Sequence, residues 1–336
     1  MSLVMSVLTA FFSNSWILVW ALIELVTVIL VSLISTSFTP RTVESVAKYY
    51  IINAVASIIL LSGILIRYFV SGSLLIFSSY SGISYFLIIL GLLIKIAVFP
   101  NPFWFIEVIS GIGLLRGFYV LIISKIIPLY LFINLVLPNE IFLWGSGLSA
   151  VLLGSIYGLN QTNIRKLIAL SSVAHLGWLI VGLPNLSLLE CLLIILIYLI
   201  MIFPLLWVVG LFEVEDLKSI SQCYFGPPFL LIIVISLLSL GGFPPTLGFI
   251  YKLYIFIGLV NEGAFLVSLI LIIMSVVSLV FYMRLCFLLY SVYWPEQKLL
   301  VTGSYISIVE NTWFIWWLIT GFSVLLSTSV ILIGLV

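Results

Sequence analysis

Long apolar runs, separated by short polar or Pro/Gly breaks, repeat along the whole sequence. They fall at 2–12, 15–36, 47–69, 82–100, 112–137, 141–160, 164–183, 186–211, 227–260, 264–292 and 310–335. A membrane-crossing helix needs about 20 apolar residues, and every run but the first reaches or approaches that length. The 2–12 run crosses only if the bilayer thins or a neighbour shelters it. The pattern predicts an all-α membrane protein of about 11 transmembrane helices, with ten full crossings as the lesser count. The longest polar stretches, Ser37–Tyr50, Glu213–Gly226 and Tyr293–Asn311, are loop-sized. Residues 1–336 therefore read as a single transmembrane domain, with no room for a nucleotide, flavin or quinone-reducing domain.

Several runs are interrupted. Ile94–Trp104 reads IKIAVFPNPFW, in which Pro100 and Pro102 close the helix. Pro128 lies three residues after Lys125 inside the 112–137 run. In SLGGFPPTLGF, Gly241, Gly242, Pro244 and Pro245 cannot all sit in a regular helix. Broken helices at membrane depth are tolerated only where protein or a water-filled cavity surrounds them. Paired interruptions in two halves mark inverted-repeat transporters, and the 82–104 and 227–260 breaks form one such candidate pair.

Composition narrows the class. The 336 residues are 64% hydrophobic and 7% charged, with 12 Lys+Arg, 11 Asp+Glu and one His. A soluble domain carries about 25% charged residues. A net charge of +1 with no basic cluster offers nucleic acid nothing to bind. Cys191, Cys223 and Cys286 lie far apart, which makes a disulfide framework, zinc site or iron–sulfur cluster improbable. A single His rules out haem ligation by a His pair, and the sequence has no GxSxG, HExxH or P-loop. No Lys or Arg precedes Arg41, which argues against a presequence or basic signal peptide.

Four charges lie deep inside apolar runs: Glu24, Lys95, Lys125 and Lys252. One charge at the centre of a span costs about 2.5–3.5 kcal/mol on insertion scales, so four cost on the order of 10 kcal/mol. One reading makes them snorkelling or helix-pairing residues, most readily Lys252 if its half-helix ends nearby. The other makes them a chain of titratable groups, since desolvation penalises the charged form and favours proton exchange. In that second reading each sits on or beside a break, where freed backbone groups and water can carry a proton. His175, one turn after Ser171 and Ser172, is either a packing residue or a relay. Arg67 and Arg116 stand near run ends, where interfacial anchors belong. Glu190 suits a helix N-terminus, and Glu107 fits either an interface anchor or a relay.

Several segments resemble one family. Gly158–Trp178, GLNQTNIRKLIALSSVAHLGW, is similar to the most characteristic segment of NADH dehydrogenase subunit 2 of animal mitochondria, an antiporter-like membrane subunit family of respiratory complex I. Pro40–Tyr49 looks like that family's PR..E...KY, Ser239–Phe249 its SLGGLPPLxGF, Trp20–Glu24 its W...E and Phe281–Leu285 its FYxRL. The resemblance covers nearly the whole chain in order. It departs at Pro102 and Ile106, where the family usually has His and Pro, around Lys125, and at Tyr251, where Pro is usual.

The resemblance implies an antiporter-like inverted-repeat fold with broken helices. It also places Glu24, Lys95, Lys125 and Lys252 in proton-translocating half-channels, with His175 as a possible relay, and implies no metal or cofactor site. NADH, FMN, iron–sulfur clusters and ubiquinone would be handled by other subunits, and their redox chemistry would drive proton movement here. The implied partners are other membrane-arm and accessory subunits of complex I and lipids such as cardiolipin. The implied location is the mitochondrial inner membrane, crossed many times. A cation/proton antiporter, or a subunit of an antiporter complex, is the alternative that shares fold and lysines. A purely structural membrane spacer is the third.

Overall fold

The chain folds as helix after helix, and among the described residues the only β pairings are isolated bridges, Ser15 with Leu75 and Asn163 with Asp216. A computed structural model describes residues 2–35, 39–76, 82–135, 140–212, 216–217, 227–244 and 246–293. The 310–335 run, Cys223, Pro245 and the 294–311 stretch lie outside the described residues.

The elements follow the predicted runs: α1 (Ser2–Phe12), α2 (Trp16–Ile34), α3 (Pro40–Ser71), α4 (Gly82–Ile96), α5 (Phe103–Gly111) and α6 (Leu114–Phe118). A π-helical turn, Tyr119–Ile123, joins α6 to α7 (Ser124–Leu135). Then come α8 (Ile141–Leu159), α9 (Ile164–Gly182), α10 (Leu188–Leu211), α11 (Pro227–Gly241), α12 (Leu247–Asn261) and α13 (Phe265–Tyr293). Among the described residues seven helices are long and apolar enough to cross a membrane, counting α6–α7 as one. The shorter apolar helices are α1, α4 and the two halves around the second break.

Where the structure differs from the predicted boundaries, capping chemistry is the reason. Helix α3 begins at Pro40 rather than 47 because Thr39 and Thr42 form a reciprocal capping box and Pro40 occupies the first turn. The first interrupted run stops at Ile96 and resumes as α5 after Pro102. Helix α7 continues through Pro128. A π-turn immediately precedes α7, so the helix is irregular one turn before the proline.

Both breaks close with the same backbone cap. Ala97 N–H bonds to the Ile94 carbonyl and Val98 N–H to that of Leu93; Gly242 and Phe243 bond in the same pattern to Ser239 and Leu238. In each, the residue after the helix is left-handed, Ala97 at φ 68° and Gly242 at φ 79°. This is a Schellman motif. It ends each half-helix sharply and turns its last carbonyls toward the break.

The helices pack around a continuous apolar core. The most extensive pairing is α8 on α9, where a Cβ on Gly147 would lie 2.8 Å from the Gly177 carbonyl and one on Gly177 2.7 Å from that of Gly147. Only hydrogen at both positions lets the two backbones approach this closely. Helix α9 is buried along nearly its whole length, so the segment carrying His175 lies at the centre of the bundle. The indole N–H of Trp20 on α2 donates to the Ser57 carbonyl on α3, at 3.2 Å.

Candidate functional site

Glu24 and Lys95 meet where α2, α3 and α4 pack together. Lys95 lies in the last turn of α4 and is 4% exposed. Its Nζ is 3.4 Å from Glu24 Oε1 and 3.5 Å from the Asn53 carbonyl of α3. The helix dipole favours a cation in a last turn, and the carboxylate supplies a counter-charge. Two opposite charges in a poorly solvated site can exchange a proton and become a neutral pair.

Lys125 is held differently. It is 2% exposed, follows the π-turn, and has no hydrogen-bond partner for its Nζ. The ammonium lies 3.8 Å from the centre of the Phe105 ring on α5. A ring face stabilises a cation by about 2 kcal/mol when desolvated, less than a buried counter-ion supplies. No hydrogen bond locks this lysine to one partner.

Lys252 is 8% exposed and lies on α12, just after the second break. Its Nζ reaches back to the end of α11, 3.2 Å from the Gly241 carbonyl and 3.5 Å from that of Leu240. These carbonyls are left without helical donors by the break, so the interruption itself builds the lysine's site. Helix α12 comes close enough because residue 248 is Gly: a Cβ there would collide with the Ser239 carbonyl.

His175 is 3% exposed and has a hydroxyl at each ring nitrogen. Nδ1 bonds to Tyr251 Oη, and Nε2 lies 3.2 Å from Tyr282 Oη. Tyr251 precedes Lys252 in sequence, and Tyr282 belongs to α13. The ring can accept at one nitrogen while donating from the other.

Residues 13–278 match the family described as NADH:quinone oxidoreductase/Mrp antiporter, transmembrane region. The NADH-ubiquinone oxidoreductase chain 2 of Patiria pectinifera is 31% identical over 305 residues, covering 89% of this chain and 85% of that protein. The chain belongs to the NADH-ubiquinone oxidoreductase chain 2 family. Among solved structures, a chain of respiratory complex I from Thermus thermophilus matches with TM-score 0.82 at 22% identity, covering 94% of this chain and 73% of that one. A chain of the Mrp complex from Dietzia sp. matches with TM-score 0.76 at 19% identity, covering 83% and 57% respectively. These two likenesses show a shared fold.

In this chain 2 family member, Glu24 and Lys95 meet directly, while Lys125 and Lys252 occupy their own settings. Snorkelling fails for Lys252, whose ammonium turns inward to the break. Glu24 departs from expectation in another way: it lies inside the uninterrupted α2, and its side chain is 27% exposed. It joins the site by facing Lys95. Arg67 is not an interfacial anchor. It is 1% exposed and donates to the carbonyls of Leu75 and Ile76, tying down the turn after α3. Glu107 is exposed and bonds Lys48 at 2.7 Å, with Glu44 on the same ammonium at 2.7 Å. Glu190 closes a capping box with Ser187. Arg284, of the FYMRL segment, caps the end of α8 by donating to the Leu159 and Gln161 carbonyls. Residue-by-residue reading missed Asn53, Phe105 and the tyrosines around His175. Each belongs to an apolar or aromatic run that reads as packing, and only the fold brings it to a titratable group.

Proposed function

We propose that this chain is a proton-translocating membrane subunit of NADH:ubiquinone oxidoreductase, in which Glu24, Lys95, Lys125 and Lys252 carry the proton path and His175 relays within it. The observation that carries this reading is that three lysines on separate helices are each less than a tenth exposed. Each also has a different stabiliser: a carboxylate, a ring face, and a pair of freed carbonyls. A structural lysine needs one lasting counter-ion. Groups that pass a proton need settings in which the charged and neutral forms lie close in free energy.

In this reading, redox chemistry takes place on other subunits, and the present chain holds no redox centre. Quinone reduction shifts the balance of charge at one end of the path. A proton then moves along it: Lys95 gives its proton up when Glu24 no longer holds the ammonium, and Lys125 and Lys252 load and discharge in turn. Residues 1–336 act as a single transmembrane domain in the mitochondrial inner membrane. Other complex I subunits contact it, and lipids such as cardiolipin cover the exposed apolar faces of α3, α10 and α13.

The test is Lys95→Ala in the assembled complex. Protons pumped per NADH oxidised are expected to fall several-fold while the complex still assembles. Wild-type stoichiometry in an assembled Lys95→Ala complex would overturn the assignment.

A further inference from the structure

Tyr251 and Lys252 are neighbours in sequence, yet they serve different helices. Successive residues of an α-helix point about 100° apart, while residues four apart share a face. Tyr251 and Ile255 therefore point one way, and Gly248 and Lys252 another. On the first face α12 meets α9: Gly182 leaves room for the Ile255 side chain, with which a Cβ would collide, and Tyr251 reaches His175. On the second face it meets α11, with Gly248 against the Ser239 carbonyl and Lys252 against those of Leu240 and Gly241.

The reach of Tyr251 is thus set by packing on both sides, and what it meets is the one histidine of the chain. Tyr251 and His175 are both buried. The hydroxyl of Tyr251 takes Nδ1, and that of Tyr282 on α13 takes Nε2. A neutral imidazole donates from one nitrogen and accepts at the other, whereas a hydroxyl can do either. Hydroxyls at both ring nitrogens therefore hold the ring in one plane with two tautomers open to it. Of these two hydroxyls, only that of Tyr251 stands on the half-helix that carries Lys252. A third ring packs beside the imidazole, Tyr198 of α10, with centroids 6.2 Å apart. Its buried hydroxyl has no hydrogen-bond partner among the described residues.

We infer that Tyr251 is a positioning residue for His175. Its hydroxyl fixes the plane of the ring and which nitrogen carries the proton, and it ties that choice to the seating of Lys252 on the end of α11. This rests on the relay role proposed for His175 above. A shift of α12 that frees Lys252 from its carbonyls also withdraws the Tyr251 hydroxyl, since both side chains stand on the same turn. Without that hydroxyl the ring keeps one anchor, Tyr282, and can turn. The O–H bond of Tyr251 is neither made nor broken.

The test is a double-variant cycle in the assembled complex, reconstituted into proteoliposomes, with protons pumped per NADH oxidised as the readout. Tyr251→Phe keeps the ring and removes the hydroxyl, and His175→Gln removes the imidazole. Tyr198→Phe removes a hydroxyl of the same aromatic cluster that bonds neither ring nitrogen. Tyr251→Phe is expected to lower the stoichiometry at least twofold and Tyr198→Phe to leave it unchanged. The double variant of Tyr251→Phe with His175→Gln should pump no worse than His175→Gln alone, because the tyrosine acts through the ring. A purely packing role would add its own loss to that of His175→Gln. Additive losses, or wild-type pumping by Tyr251→Phe while His175→Gln is impaired, overturn the positioning role and leave the path standing. Wild-type pumping by His175→Gln removes the relay and this inference with it; if Lys95→Ala also pumps as wild type, the path itself fails. If Tyr251→Phe does not assemble while Tyr198→Phe does, the hydroxyl serves folding and the inference falls.

Discussion

Glu24 and Lys95 show how far one contact can be pressed into predictions. Their 3.4 Å pairing is the one carboxylate contact made by any of the three buried lysines among the described residues. Breaking a buried pair by removing one partner costs about 3–5 kcal/mol when the other charge stays. Glu24→Gln is therefore expected to impair pumping as Lys95→Ala does. Because the two residues act as a unit, the double variant should pump no worse than the more damaged single. Pumping measurements on the three variants check this, and additive losses would show that the two residues work separately. Lys125 makes the opposite point: without a counter-charge, it depends on the Phe105 ring and on the shape of its surroundings.

The breaks work as elements rather than as loose segments. Each ends a half-helix in the same capped turn: α4 carries Lys95 in its own last turn, while α11 offers its last carbonyls to Lys252 of α12. The approach of α12 to α11 depends on Gly248. A methyl group there meets the rigid Ser239 carbonyl, so the helices must part, at an overpacking cost of about 1–3 kcal/mol. Gly248→Ala is expected to reduce the amount of assembled complex on native gels. It should also lower pumping per complex, because Lys252 loses its carbonyls. Normal assembly with normal pumping would show that the break tolerates the displacement.

At the scale of the whole molecule, the described helices bury three lysines in the interior and turn apolar side chains outward. In the proposed reading, other subunits supply the energy for moving protons, so activity depends on partners. The chain is expected to co-purify with NADH-oxidising subunits from mild detergent extracts, and NADH oxidation in those fractions checks this. Recovery of the chain alone, or only with subunits of a cation antiporter, would favour the alternative that shares its fold.

Much of this was legible in the sequence, and the reason is physical. A membrane demands apolar runs of fixed length, so the helices and their interruptions appear directly in the order of residues. A charge in such a run is costly wherever it points, so Glu24, Lys95, Lys125 and Lys252 stand out without coordinates. What the order of residues does not contain is who faces whom. Arg67 and Glu107 look alike as charges near run ends, yet one is buried against a turn and the other forms an exposed ion pair. Phe105, Tyr251 and Tyr282 read as ordinary aromatic packing. They acquire chemistry because α5, α12 and α13 bring them to a lysine or a histidine from distant points in the chain. Burial of a single group is a one-body property that composition reveals, whereas a proton path is a set of pairwise distances that only packing decides.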